Sequence, residues 1–206
     1  MPISAVEPLY ENFPTEFRRK LRTRRECAAM EDAGFLEPGR YELIGGELLE
    51  RTGKKRPHVI TLSKMQYWLA RVFGEDYVQP ETPIDVAAQD NPINEPEPDI
   101  VVLRRPMTEY TEGNVPSMEL QLVVEVADTT LLTDLRTKAA IYARAGIAEY
   151  WVVDIPNRRI VVHRQPSGRR YQSVIAYLEH ESVAPEAAPE ALFEVRRAFL
   201  PQTPEA

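Results

Sequence analysis

The sequence predicts one α/β domain with loose ends. Two apolar runs have the length of buried strands, namely residues 97–103 (Glu-Pro-Asp-Ile-Val-Val-Leu) and residues 122–126 (Leu-Val-Val-Glu-Val). A helical pattern and a further apolar run at residues 149–154 follow, so residues 120–154 indicate a strand-helix-strand crossover. The chain has 206 residues, of which 43% are apolar and 28% charged, which is enough for one sizeable core.

The chain begins with a segment that lacks hydrophobic periodicity. Three prolines fall within its first 14 residues, and we interpret residues 1–22 as a loose arm. Thr23 and Glu26 have the spacing of a capping box, in which each side chain binds the other residue's backbone N–H. A helix is therefore predicted from Thr23 to Ala33, where Gly34 ends it.

A β-hairpin is predicted at residues 41–50. Gly45 and Gly46 supply the positive backbone angles that a two-residue turn requires. Glu42 and Glu47 flank that turn. We expect both side chains to lie on a solvated strand face, and support of the site from the hairpin is the alternative.

An amphipathic helix follows Pro57, because apolar residues recur at helical spacing over residues 58–73. His58 is expected to serve as a residue of the helix start. The prolines that follow leave room for one short strand at residues 84–87. The two apolar runs come next and are most simply antiparallel neighbours, which would bring Asp99 and Glu125 close together.

The crossover helix is predicted at residues 135–145, with Asp134 as its N-terminal cap. Leu135, Lys138 and Tyr142 follow at steps of three and four, so they lie on or beside one helix face. The lysine is therefore expected to point towards the interior.

Further strands are predicted at residues 149–154, 160–162 and 171–177. Proline, alanine and glutamate dominate beyond Leu178, so residues 179–206 are interpreted as a peripheral C-terminal appendage. The domain itself is then residues 23–178.

The charge distribution restricts the function. The net charge of −7 weighs against a protein that coats nucleic acid, because phosphate binding relies on lysine and arginine. One arginine cluster contains no acid and could meet phosphates, although a solvated face is the alternative: Arg158, Arg159, Arg164, Arg169 and Arg170. No uncharged apolar run approaches the length of a membrane span and no secretory signal is present, so we expect a cytoplasmic protein.

The carboxylates in the apolar runs require a neutralising partner. A lone buried carboxylate is costly, so a metal ion, a lysine or an arginine must accompany Asp99 and Glu125. The single cysteine and three scattered histidines exclude a multi-cysteine zinc site, so any metal is expected to be Mg²⁺ or Mn²⁺ on oxygen ligands. Asp99, Glu125 and Lys138 would suffice for metal-assisted phosphodiester hydrolysis, and a plain ion pair of Glu125 with Lys138 is the alternative.

The order of these residues resembles the PD-(D/E)XK nuclease superfamily, in which proline-aspartate is followed by an acid, one residue and a lysine. Pro98-Asp99 and Glu125 match this pattern, whereas Ala127 stands where the lysine is expected. In some families of the superfamily the lysine lies on the following helix, which is where Lys138 is predicted.

A closer resemblance is to the Uma2 family (DUF820) over residues 23–175. It rests on the hairpin residues 41–48, His58, Pro98-Asp99, residues 122–126, Lys138, Tyr142 and the segment from Gly146 to Asp154. The chain departs from the family at Ala127-Asp128, where a small residue and serine are common, and at residues 51–56, where a Ser-Pro segment is common.

The resemblance implies a restriction-endonuclease-like core, which is a mixed β-sheet flanked by helices, and metal-dependent cleavage of DNA. It implies Asp99, Glu125 and Lys138 as catalytic residues, with Mg²⁺ or Mn²⁺ held by the two acids. Enzymes of the superfamily often cut both strands as homodimers. The alternative function is a catalytically silent module of the same fold that binds a partner.

Overall fold

The computed structural model describes residues 19–51 and 53–201. Helices are α1 (Arg24–Asp32), α2 (Arg56–Phe73) and α3 (Ala139–Arg144). Strands are β1 (Tyr41–Ile44), β2 (Glu47–Glu50), β3 (Val78–Pro80), β4 (Ile100–Leu103), β5 (Leu120–Ala127), β6 (Glu149–Asp154), β7 (Arg159–Ser167), β8 (Arg170–Leu178), β9 (Ser182–Val183) and β10 (Phe193–Glu194). Of the predicted arm, residues 1–18 lie outside the described residues.

The fold is built on a six-stranded mixed sheet in the order β3-β4-β5-β6-β7-β8. Strands β4 and β5 pair antiparallel, as the two adjacent apolar runs predict. Strands β5 and β6 pair in parallel and the helical stretch at residues 131–144 connects them, which confirms the predicted crossover. The predicted mixed β-sheet flanked by helices is therefore confirmed.

Both faces of the central strands are covered, because successive side chains of a strand point to opposite sides of the sheet. Val124 packs in one core together with Leu69 of α2. The adjacent Val123 packs in the second core, together with Tyr142 of α3. Burial on both faces explains why β5 reads as a continuous apolar run, and why its one carboxylate, Glu125, stands out.

The predicted capping box is confirmed at the start of α1. The Thr23 hydroxyl accepts a hydrogen bond from the Glu26 backbone N–H, and the Glu26 carboxylate accepts one from the Thr23 backbone N–H. The predicted cap at Asp134 is wrong, since helical structure already begins at residue 131. Asp134 instead lies inside a π-helical segment, Thr133–Lys138, that precedes α3.

The hairpin of β1 and β2 forms as predicted, with Gly45 and Gly46 both at positive φ. The strand predicted at residues 84–87 is wrong, because only Ile84 there makes an isolated bridge. The strand formed is β3, which contains a proline. Pro80 is tolerated because β3 is an edge strand, where a missing backbone N–H leaves no central ladder bond unmade.

The segment after β8 packs against the sheet. Phe193, Val195 and Phe199 are buried in the same core as Trp151, and β9 pairs with β10. A short 3₁₀ helix, Val195–Ala198, follows β10. The interpretation of residues 179–206 as an appendage therefore underestimates their packing up to Phe199, while the domain boundary itself stays a prediction.

In the part of the chain that the structure describes, no helix combines the length and the apolar character that a membrane crossing would require.

Candidate active site

Strands β4 and β5 bring the two predicted acids together. Ile100 faces Val124 in the antiparallel register, so Asp99, which directly precedes β4, lies beside Glu125 and Val126 of β5. The Asp99 Oδ2 atom accepts a hydrogen bond of 2.8 Å from the Val126 backbone N–H, which ties the carboxylate to the neighbouring strand.

Both acids line one pocket with a volume of about 490 Å³. Its wall combines acids and bases that come from distant parts of the chain. Among the charged and titratable side chains that line it are Glu42, Lys54, His58, Asp99, Glu125, Asp134 and Lys138. The pocket therefore contains all three residues that the sequence nominates.

Lys138 points inward, as the helical spacing predicts, and is buried. Its Nζ atom lies 2.9 Å from Glu125 Oε1 and 2.9 Å from Glu42 Oε1. Burial alone would lower the Lys138 pKa, but the carboxylates of Glu125, Glu42 and Asp134 outweigh that effect and raise the pKa, so the ammonium stays charged.

For Glu42 the expected solvated strand face is wrong, and the alternative, a place beside the site, is the one that the structure shows. Its side chain is only 11% exposed and pairs with Lys138, whereas Glu47 is exposed and pairs with Arg19 as a solvated residue would. Glu42 also accepts a hydrogen bond of 2.9 Å from the Glu97 backbone N–H. Only the packing of the hairpin over the sheet places Glu42 here, and no local pattern signals that packing.

Tyr142 fixes the orientation of Glu125. Its buried hydroxyl donates a hydrogen bond of 2.9 Å to Glu125 Oε1, the oxygen that Lys138 also contacts. Burial, with the nearby Glu125 charge, raises the Tyr142 pKa well above its usual value, so the hydroxyl keeps its proton. Burial likewise raises the Glu125 pKa, against the opposing charge of Lys138.

Asp134 adds a third carboxyl group to the cluster around Lys138. Its Oδ2 atom accepts a hydrogen bond of 2.6 Å from the Thr130 hydroxyl. Its Oδ1 atom is buried without a hydrogen-bond partner among the described residues, and lies 3.9 Å from Lys138 Nζ. Burial raises the Asp134 pKa to about 6. Three carboxyl groups therefore surround one lysine, and the excess of negative charge favours a further cation or a bound proton.

Replacing Asp134 with asparagine is expected to stabilise the metal-free protein at pH 8 by about 2 to 3 kcal/mol. The native pKa lies above the ordinary 3.8, so the native state binds the extra proton and wild-type stability falls as the pH rises from about 4 through about 6. Asparagine carries no charge to bury. Denaturant unfolding across this range should show the gain vanish near pH 4; a variant that is less stable at pH 8 would contradict the assignment.

Two basic side chains face Asp99 from the pocket wall. Lys54 Nζ and His58 Nε2 each lie 3.2 Å from Asp99 Oδ1. Burial alone would raise the Asp99 pKa, but His58, the Val126 backbone N–H and Lys54 together lower it. His58 thus lies in the first turn of α2, as expected, and also takes part in the site.

The arginine cluster predicted to meet phosphates is largely engaged elsewhere. Arg158 pairs with Glu179, Arg159 with Asp154 and Arg164 with Glu149. Arg169 and Arg170 lie at the turn between β7 and β8 and form no ion pair within the described chain. Three of the five arginines therefore serve structure.

The side chains of the pocket suit a divalent ion that keeps several of its water ligands better than an ion coordinated only by protein atoms. Among the described residues, no group of three or more histidine, cysteine, aspartate or glutamate side chains has an arrangement suited to a metal ion. Mg²⁺ keeps several of its waters and uses one or two carboxylates, which Asp99 and Glu125 can supply. The unpartnered Asp134 Oδ1 offers a further acceptor for a metal-bound water. The site therefore fits a Mg²⁺ or Mn²⁺ ion that keeps part of its water shell, with the two carboxylates as its protein ligands.

The fold and the site define a restriction-endonuclease-like protein. A crystal structure described as "a putative nuclease belonging to DUF820" from Anabaena variabilis ATCC 29413 matches with a TM-score of 0.61. The match covers 82% of this chain and 96% of that chain at 15% sequence identity, so the two share a fold. The model of the Uma2 family, described as "Putative restriction endonuclease", matches residues 26–196. The chain belongs to the Uma2 family. No curated protein matches it.

Proposed function

We propose that the protein is a divalent-metal-dependent DNA endonuclease, with Asp99 and Glu125 as metal ligands and Lys138 as a catalytic residue. The observation that carries the proposal is that two acids on neighbouring strands and an inward lysine of the crossover helix line one pocket. The fold and family support a nuclease, and the excess of buried carboxylates supports a metal.

The chain's own side chains have separable roles in this proposal. Lys138 would orient a water molecule or neutralise charge on a phosphoryl oxygen, since its ammonium stays protonated inside the pocket. Tyr142 would keep Glu125 in position through its hydrogen bond. A bound Mg²⁺ or Mn²⁺ supplies Lewis-acid polarisation of the phosphoryl oxygen and a lowered water pKa.

The proposal is tested by incubating supercoiled plasmid with the full chain in Mg²⁺, Mn²⁺ or EDTA. Cleavage is expected only with metal, and Asp99→Asn should abolish it because an amide is a poor ligand for a hard cation. The matched control is Glu119→Gln, which neutralises an acid that pairs with Arg105 outside the pocket. Cleavage that persists in EDTA, or in Asp99→Asn at the parental rate, would contradict the proposal.

A catalytically silent binding module is the second candidate. The contacts of Lys54 and His58 with Asp99 favour it, because these two side chains already partner one of the expected metal ligands. Titration of the protein with Mn²⁺ by calorimetry separates the candidates: the nuclease must bind the ion through Asp99, whereas the silent module has no need of it.

Lys54→Met is expected to tighten Mn²⁺ binding roughly fivefold if Lys54 competes with the ion for Asp99. Breaking a partly exposed ion pair costs about 1 kcal/mol, and the variant no longer has that pair to break. Lys55→Met is the matched control, since Lys55 lines the same pocket without pairing with Asp99. Equal or weaker binding in Lys54→Met would show that Lys54 does not compete with the ion.

A further inference from the structure

A second pocket, with a volume of about 300 Å³, is lined by residues of α2 and of the C-terminal segment. Six residues line it: Lys64, Tyr67, Trp68, Arg71, Phe193 and Arg197. Three are cations, three are aromatic, and no described acidic side chain lines the pocket. The pocket therefore concentrates positive charge on a chain whose net charge is −7.

The cations of this pocket are available to a ligand. Arg71, Arg197 and Lys64 form no ion pair with any carboxylate among the described residues. Lys64 Nζ donates one hydrogen bond, of 2.7 Å, to the Phe199 carbonyl oxygen, which leaves two of its three N–H groups for other partners. The pocket therefore offers positive charge that the protein itself does not neutralise.

The aromatic rings provide one fixed wall and one exposed platform. Trp68 packs on Phe193 with ring centroids 4.6 Å apart and stacks on Trp151 at 6.2 Å, so its position is set by the core. Tyr67 is 68% exposed, and the Arg71 guanidinium lies 5.9 Å from its ring centroid. An exposed tyrosine beside an arginine can stack with a flat ring while the arginine contacts an attached phosphate.

We infer that this pocket binds unpaired nucleotides of a single-stranded nucleic acid segment, at a position separate from the catalytic pocket. His58 and Arg71 lie on α2 in the two different pockets, about 20 Å apart along the helix axis at about 1.5 Å per residue. The arginines and Lys64 contact phosphates, and Tyr67 stacks on a base. A duplex would offer its phosphates but not the faces of its stacked bases, so a single strand fits the exposed ring.

The inference is tested by the fluorescence anisotropy of a labelled oligothymidylate of about ten nucleotides, with the full chain in EDTA so that cleavage plays no part. The double variant Arg71→Glu/Arg197→Glu is expected to weaken binding at least tenfold. The slope of log K against log salt concentration should also become less negative by roughly 1.4. Each phosphate that an arginine no longer neutralises removes about 0.7 from the magnitude of that slope. Tyr67→Ala is expected to weaken single-strand binding roughly tenfold and duplex binding far less.

Arg25→Glu is the matched control, because Arg25 is an exposed arginine of α1 that forms no ion pair within the described chain. An equal loss in Arg25→Glu, or tight binding of a polyglutamate peptide of the same charge, would overturn the inference. A bromodeoxyuridine oligonucleotide should cross-link to a peptide that contains Tyr67 or Trp68; cross-links confined to the catalytic pocket would also overturn it. Because cleavage is not measured, a silent protein could still support the inference, and a working nuclease could still fail it.

Discussion

Glu125→Gln is expected to abolish Mn²⁺ binding and to lower plasmid cleavage at least about a thousandfold, an effect comparable to the loss of one essential electrostatic group. The glutamine oxygen can still accept the hydrogen bonds that Lys138 and Tyr142 donate to Glu125 Oε1. The charge that would hold the ion is lost. Because burial raises the Glu125 pKa, the neutral amide should leave the metal-free protein at least as stable as the parent at pH 8.

Glu149→Gln is the control with the opposite expected profile. Glu149 is also a buried glutamate of the central sheet, but its carboxylate accepts hydrogen bonds from Arg164, Trp151 and the Glu186 backbone N–H. Neutralising it should cost about 3 kcal/mol of unfolding free energy and leave Mn²⁺ affinity unchanged. If calorimetry found that both variants lost the metal equally, the assignment of Glu125 would be wrong.

Lys138→Met is expected to lower the unfolding free energy of the metal-free protein at pH 8 by about 3 to 5 kcal/mol, and to abolish cleavage. The change leaves Glu42, Glu125 and Asp134 without the ammonium that they share. The loss should shrink at pH 5, because burial raises the pKa of Glu125 and of Asp134 and the native state then takes up protons on these two carboxyl groups. Saturating Mn²⁺ should restore more stability to this variant than to the parent.

Denaturant unfolding at pH 5 and pH 8, with and without Mn²⁺, measures these effects. Lys54→Met is the control, because Lys54 is more exposed than Lys138 and its pairs with Asp99 and Glu81 are worth about 1 kcal/mol or less. A Lys138→Met variant that loses no more stability than Lys54→Met would mean that the buried cluster does not depend on its lysine.

The placement of Asp99, Glu125 and Lys138 in one pocket could be predicted from local features of the sequence. A carboxylate inside an apolar strand, as at Glu125, needs a cationic partner whatever the fold. Two strands that follow each other in sequence without an intervening long helix are most simply antiparallel neighbours. This pairing brings Asp99 beside Glu125. The helical spacing of Leu135, Lys138 and Tyr142 turned the lysine inward, and its burial confirms that prediction.

The remaining parts of the site depend on contacts between distant segments. Glu42 reaches Lys138 only because the hairpin packs over the pocket, and an alternating strand pattern does not reveal that. Lys54 meets Asp99 across 45 positions of sequence for the same reason. Asp134 is predicted to be a helix cap because aspartate is common at the N-cap position. Helical structure begins earlier, at residue 131, so Asp134 lies inside the helix and is buried.

The crossover helix contains a π-helical segment, Thr133–Lys138, in which both Asp134 and Lys138 are buried. A π bulge amounts to one extra residue in an α-helix. The side chains after it are therefore displaced by about 100° from the positions that uninterrupted α-helical numbering would give them. Asp134 and Lys138 lie four residues apart in this segment, and both line the pocket, where Asp134 Oδ1 is 3.9 Å from Lys138 Nζ. Deleting a single exposed residue such as Thr137 would leave Asp134 and Lys138 three residues apart, a spacing that still places both on one helix face. The pairing of Asp134 with Lys138 beside the acids of β4 and β5 is therefore expected to tolerate a one-residue change in the length of this helical turn.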